Sequence, residues 1–203
     1  MIAIIDYGLG NLRSVEKAFQ LYTDKAKVVR RPEEAAGASC VVVPGDGAFA
    51  TAMKNLESGG WKELVLRHIE RGDLLVGICV GYQLLFEQSE EFVDCKGLGL
   101  LKGSVRRFST PGLKVPHMGW NNVHFAHESP FIAGIDDNAW FYFIHTYYPQ
   151  GVDSRWVLGD VEYGTRFPCI IEKDNIFGTQ FHPEKSHNAG LKIVENIVRR
   201  ACL

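Results

Sequence analysis

The 203-residue chain has no apolar run of the about 20 residues needed to cross a bilayer. Charge of one sign is also missing. Lys and Arg number 22 against 24 Asp and Glu, a formal net charge of −2, so no global field draws the chain to nucleic acid or an anionic membrane. The pairs Arg30-Arg31, Arg106-Arg107 and Arg199-Arg200 are isolated and read as solvated edges. The five cysteines, Cys40, Cys79, Cys95, Cys169 and Cys202, are odd in number and lack the spacing of a disulfide framework. Met1-Ile2-Ala3-Ile4-Ile5-Asp6 has no basic region and meets an acid too early for a signal peptide, so a buried first strand is expected there. These absences point to the reducing cytoplasm. Cys202 is not fourth from the end, so prenylation is not expected. No linker, repeat or low-complexity stretch interrupts the sequence. Residues 1–203 are therefore expected to form one domain around a large core.

What is present alternates. Strands are expected at Ile2-Ile5, Ala26-Val29, Cys40-Val43 and Leu74-Ile78. Helices are expected at about Asn11 to Tyr22, Phe49 to Glu57 and Trp61 to Arg71, with a short proline-started one at Pro32-Glu33-Glu34. Such β–α repeats imply an α/β fold with a parallel sheet flanked by helices on both faces. The second half changes character. Val105-Phe108, Asn122-Phe125, Phe141-Tyr147, Trp156-Tyr163, Cys169-Glu172 and Ile176-Phe181 read as strands joined by short turns, and Lys173-Asp174-Asn175 as a hairpin turn. A helix from about Asn188 to Arg200 follows. The sheet is expected to be mixed, parallel at its centre and antiparallel towards one side.

Gly77-Ile78-Cys79-Val80-Gly81 lies between the apolar run Leu74-Leu75-Val76 and a helical stretch expected at Tyr82 to Phe86. A cysteine at a strand tip, between glycines and at a helix start, is a nucleophile elbow. Glycine on both sides relieves a sharp, strained turn. The helix N-terminus favours thiolate over thiol. Gln180-Phe181-His182-Pro183-Glu184 supplies an imidazole to take the proton and a carboxylate to orient it. Cys79, His182 and Glu184 thus form a candidate hydrolytic triad. The tetrahedral oxyanion needs donors. The N–H of Val80 comes with the elbow. Pro44-Gly45-Asp46-Gly47 either presents the Asp46 N–H or is a plain β–α turn. Gln83 either faces a bound substrate or is an ordinary helix glutamine. Gly8-Leu9-Gly10 lacks the third glycine of a dinucleotide loop. His124 with His127, and His182 with His187, lack supporting acids or cysteines, so no metal is expected. His68 and His117 show no partner. Trp120 and Asn121 read as part of a glycine-flanked turn, Pro116 to Asn121, as a core lid or an interface anchor.

The elbow and the His-Pro-Glu segment, with Gln180-Phe-His-Pro-Glu-Lys-Ser186, resemble the class I, triad-type glutamine amidotransferases. Gly8-Leu-Gly-Asn-Leu-Arg-Ser14, Pro44-Gly-Asp-Gly-Ala-Phe49, Pro116-His-Met-Gly-Trp-Asn121 and Phe141-Tyr-Phe-Ile-His-Thr-Tyr147 narrow the likeness to the glutaminase subunits of imidazole glycerol phosphate synthases. The resemblance covers essentially the whole chain. It implies that Cys79 attacks the glutamine carboxamide, with His182 as base and Glu184 as orienter. Gly45, Asp46 and Val80 would form the oxyanion hole, and Gln83, Glu91, Thr146 and Tyr147 would hold glutamine. Asn11, Trp120, Asn121, Tyr142 and Lys185 match the side that faces a (β/α)₈-barrel synthase subunit in a heterodimer. Ammonia would pass there to yield imidazole glycerol phosphate and the purine precursor AICAR in histidine biosynthesis. No cofactor, metal, nucleic acid or membrane is implied. The chain departs from the family's frequent Pro-Gly-Val-Gly by carrying Asp46 in place of the valine. The competing readings are a paralogue feeding a sugar amination enzyme, a non-enzymatic barrel-binding subunit and a stand-alone cysteine hydrolase. The intact triad argues against the second, and Trp120 and Lys185 against the third.

Overall fold

The computed structural model describes residues 1–91, 95–109 and 111–202. Its first part alternates as the sequence predicts: β1 (Ile2–Ile5), α1 (Leu12–Gln20), β2 (Ala26–Val29), β3 (Cys40–Val43), α2 (Phe49–Ser58), α3 (Trp61–Glu70) and β4 (Leu74–Ile78). All residues of β1, β3 and β4 are buried, because helices cover both faces of a parallel sheet. Asn11 starts α1 by accepting the Ser14 N–H at 3.3 Å, and Val15, Ala18 and Phe19 bury the inner face.

After β4 come α4 (Val80–Gln83), β5 (Phe86–Ser89), β6 (Cys95–Lys96), β7 (Leu101–Arg107), β8 (His117–Asn122) and β9 (His124–Phe125). They are followed by β10 (Trp140–His145), β11 (Tyr147–Gln150), β12 (Val157–Glu162), β13 (Arg166–Lys173), β14 (Ile176–Thr179) and α5 (His187–Ala201). Among the described residues the main sheet has the order β2-β1-β3-β4-β14-β13-β12-β9. It is parallel from β2 to β14 and antiparallel beyond, the mixed sheet expected. β14 lies in register beside β4, Gly178 opposite Gly77, and Cys79 N–H donates to the Thr179 carbonyl at 2.8 Å. The two strand ends that carry the cysteine and the histidine are therefore neighbours. They sit at the carboxyl edge of the parallel strands, where open α/β sheets place their sites.

Three departures from the sequence reading bear on the site. The helix expected through Phe86 ends at Gln83. The Leu84 and Leu85 carbonyls accept from Leu98, Leu100 and Leu101 N–H groups instead of continuing the helix, and Phe86 enters a strand between β6 and β7. Tertiary pairing overrides the helical run. Second, Trp120 and Asn121 lie on strand β8, which pairs with β10 from His145↔His117 to Trp140↔Asn122. Gly119 sits within the ladder, not in a turn. Third, the stretch Phe141 to Tyr147 is two strands. β10 pairs with β8, and β11 with β7, so the chain changes sheet at Thr146.

Candidate active site

Cys79 has φ +56° and ψ −108°, a backbone state that L residues rarely adopt and that costs of order 1–3 kcal/mol. The neighbouring glycines are required by contact. A Cβ on Gly81 would lie 1.8 Å from the Val43 carbonyl oxygen, and one on Gly77 would lie 2.7 Å from the Gly81 oxygen. The elbow is thus wedged between β3 and α4. Its helix is only four residues long, so the local Val80 and Gly81 N–H groups matter more than any macrodipole. The Cys79 sulfur lies 3.9 Å from the Ile144 carbonyl and 4.0 Å from Gln180 Nε2.

His182 follows β14. Its Nδ1 donates to Glu184 Oε1 at 2.9 Å, in a pair whose side chains are 8% and 2% exposed. Ser186 fixes the segment: its hydroxyl donates to the His182 carbonyl at 2.6 Å and accepts from Tyr142 N–H at 3.0 Å. His182 Nε2 and Glu184 Oε2 are buried with no hydrogen-bond partner among the described residues. Burial works against the imidazolium, yet Cys79 and Glu184, each by charge and by hydrogen bonding, outweigh it and push the His182 pKa up to about 10.

Both groups open on a cavity of about 330 Å³ lined by Asp46, Gly47, Cys79, Val80, Gln83, Glu91, Pro116, Ile144, His145, Thr146, Tyr147, His182 and Lys185. That volume suits a small molecule of amino-acid size. A wider surface depression of about 820 Å³, around Phe125, His127 and Pro130, contains none of the triad candidates. The cavity gathers an activated-nucleophile constellation: sulfur, imidazole and carboxylate, with N–H groups of α4 beside the sulfur.

The family model of class-I glutamine amidotransferases matches residues 3–201. The chain belongs to that family. Several relatives are called imidazole glycerol phosphate synthase subunit HisH. The one from Desulfitobacterium hafniense is 47% identical over 97% of this chain and 92% of its own. The one from Methanocaldococcus jannaschii is 46% identical over 98% of both chains. That from Bacillus subtilis is 43% identical over 99% of this chain and 97% of its own. A crystal structure of a glutamine amidotransferase superposes over 100% of both chains with a TM-score of 0.78 at 20% identity, a likeness of fold.

The structure brings together most of the residues this amidotransferase was expected to use. Gln83 is buried at the pocket and donates to the Tyr147 carbonyl at 2.9 Å and to Gln180 Oε1 at 3.0 Å. Glu91 borders the same cavity, accepts the Phe49 N–H at 2.6 Å, and has its pKa raised by burial. Thr146 and Tyr147 stand where the chain changes sheet. Gly45 is buried under the elbow: a Cβ there would lie 2.6 Å from Tyr7 Oη and 2.9 Å from Val80 Cβ. The Asp46 carboxylate accepts the Gly10 N–H at 3.0 Å.

Of the expected interface residues, Trp120 is 41% exposed, packs edge-on to Tyr142, and stacks on His187 at 4.9 Å. Asn11 and Lys185 are exposed, Lys185 at the pocket rim. α1 packs against the Pro183–Lys185 turn, which packs against β10, so these positions are contiguous. Asn121 is half-buried and donates to the Glu162 carbonyl at 2.9 Å. Sequence reasoning missed Tyr7, Gln180, His145 and Ser186. Tyr7 donates to the Pro44 carbonyl at 2.6 Å, and burial, with the Cys79 and Asp46 charges nearby, raises its pKa so that it stays a donor. Tyr7, Gln180 and His145 each reach a partner far along the chain, at Pro44, Gln83 and His117. Gln180, His145 and Ser186 lie within the quoted motifs, and Tyr7 directly precedes one.

The His182 shift is testable. With Cys79→Ser the thiolate is gone while burial still opposes the imidazolium. The ring pKa is expected to fall by about 1 to 3 pH units, read by NMR titration of the His182 ring. An unchanged midpoint would show that the sulfur carries no charge there.

Proposed function

We propose that this chain is the glutaminase subunit of an imidazole glycerol phosphate synthase, releasing ammonia to a (β/α)₈-barrel partner in histidine biosynthesis. The observation that carries this reading is the convergence of a strained Cys79 and the buried His182–Glu184 pair on one small cavity. The full-length likeness to subunits of that synthase supports the choice of pathway.

The Cys79 thiolate attacks the carboxamide carbon of glutamine. Negative charge develops on the carboxamide oxygen, and the N–H of Val80 and one from the Gly45–Asp46 segment stabilise it. His182, carrying the proton, delivers it to the leaving nitrogen, and ammonia departs. The glutamyl thioester remains on Cys79. Water attacks it, His182 takes the water's proton, and collapse returns thiolate and glutamate. Glu184 holds Nδ1–H and balances the imidazolium throughout. Gln83, Glu91, Thr146 and Tyr147 bind the amino-acid end. Asn11, Trp120, Asn121, Tyr142 and Lys185 meet the barrel.

The site of action is the cytoplasm. The five cysteines are unpaired, as a reducing compartment leaves them. Among the described residues no helix is long and apolar enough to cross a membrane.

An electrophilic glutamine analogue, given to the complex, is expected to label Cys79 and spare Cys40, Cys95, Cys169 and Cys202. Cys40 and Cys169 are fully buried and their thiol pKa values are pushed up by that burial. Peptide mass spectrometry locates the adduct, and an adduct on any other cysteine overturns the assignment.

A further inference from the structure

We propose that His117 and His145 form a strut of fixed tautomer that positions Gln83 and the Tyr147 carbonyl for glutamine; the proposal rests on the glutaminase reading above. The two residues face each other across the β8–β10 ladder, and both are buried. His117 Nδ1 lies 2.9 Å from His145 Nε2, and His145 Nδ1 lies 2.8 Å from the Tyr147 carbonyl oxygen. The His117 ring is sandwiched between Tyr163 at 4.0 Å and Phe143 at 4.8 Å, so its plane is set. Phe108 and Phe167 pack on His145 at 5.4 Å.

The hydrogen-bond directions follow from one group. A carbonyl oxygen only accepts, so His145 Nδ1 carries its proton. Burial depresses the pKa of His145 to about 3 and that of His117 to about 4, so both rings are neutral near pH 7. His145 Nε2 is then bare and accepts from His117 Nδ1–H. His117 Nε2 is bare in turn and accepts from the Asn121 amide at 3.4 Å. Both histidines hold the Nδ1–H form, the less populated tautomer of the free side chain.

The same carbonyl orders the other side. It accepts from Gln83 Nε2 at 2.9 Å, and the second Gln83 N–H goes to Gln180 Oε1 at 3.0 Å. Both amide hydrogens of Gln83 are used, which leaves its Oε1 as the atom it offers to the pocket. Gln83 is therefore set as an acceptor, suited to the ammonium or amide N–H groups of glutamine. The strut's hydrogen bonds run to a substrate-holding group and not to the Cys79 sulfur or the oxyanion donors. Its loss belongs in KM more than in kcat.

The test has two arms, both on the assembled complex. In the first, long-range nitrogen–proton NMR of the wild-type histidines at pH 7 is expected to show Nδ1–H tautomers at His117 and His145. An Nε2–H form at either overturns the strut. In the second, His117→Leu keeps the stacked bulk and removes the donor, while His117→Asn restores a donor near the Nδ1 position. His117→Leu is expected to raise KM for glutamine about tenfold with kcat nearly constant, the scale of a lost buried hydrogen bond with its partner left unpaired. His117→Asn is expected to recover most of that loss. Unchanged KM, a fall confined to kcat, or no recovery in a folded His117→Asn complex overturns the proposal. A wild-type complex that releases no glutamate instead refutes the glutaminase reading and leaves the tautomer result standing.

Discussion

Cys79→Ala is expected to abolish glutamine-dependent synthesis by the complex, with glutamate release falling by about 10⁴- to 10⁶-fold, while synthesis from added ammonium salt persists. The argument is geometric. The sulfur is the only reacting atom the chain contributes to the carboxamide carbon, and alanine leaves nothing in its place. The barrel site, supplied with ammonia from solution, does not need it. The fold survives because alanine occupies the same strained φ of +56° and removes only one buried atom. Cys79→Gly separates chemistry from strain. Glycine adopts that backbone state without steric strain, and the relief exceeds its added chain entropy, so the variant is expected to be equally inactive yet to melt at a higher temperature, by the equivalent of about 1 kcal/mol. Calorimetry and the ammonia-dependent assay read the two effects. Loss of ammonia-dependent synthesis in Cys79→Ala would mean that the cysteine also holds the complex together, and the assignment of a purely ammonia-releasing role would fail.

The first half of the fold was legible because its strands are apolar runs punctuated by glycine and proline. Cys40–Val43 and Leu74–Ile78 leave no other reading. The elbow was legible because close approach to Val43 and to the Gly81 carbonyl admits only glycine at positions 81 and 77. The hairpin at Asp174-Asn175 was read from turn chemistry, and β13 and β14 do pair antiparallel across it. Strand β8 was not read, although Met118 and Trp120 point outward and His117 inward with the period of a strand. Its glycine and the nearby proline masked that alternation. The short α4 was overread because Leu84 and Leu85 suit a helix locally, while the bonds that end it come from residues 98–101. Gln180, His145 and Tyr7 act through long-range contacts that spacing along the chain does not encode.

Glutamate release by the isolated chain is expected to be nearly silent, and to rise by about 10²–10³ when the barrel partner binds its nucleotide, the size of one oxyanion donor. The control point is expected to be the Pro44-Gly45-Asp46-Gly47 loop. The structure ties it to the first loop of the chain twice, by Tyr7 Oη donating to the Pro44 carbonyl and by Gly10 N–H donating to the Asp46 carboxylate. The first loop ends at Asn11, exposed on the expected partner side and capping α1. Partner contact at Asn11 and Lys185 is therefore expected to bear on the clamp that holds the Asp46 segment, and to shift the loop only so far as it binds one arrangement better than the other. Substitution at Gly45 is a poor probe, because any side chain there collides with Tyr7. Asp46→Ala is the cleaner one. It keeps the backbone N–H and removes the bond to Gly10, so the resting arrangement loses one of its ties. Basal glutaminase of the isolated variant is expected to rise about three- to tenfold, the range of one partly exposed hydrogen bond, and the stimulation by partner and nucleotide to shrink by the same factor. Steady-state glutamate release measured with and without the nucleotide-loaded barrel decides it. Full activity in the isolated wild-type chain, or an Asp46→Ala variant with unaltered basal rate and stimulation, would remove this loop from the switch.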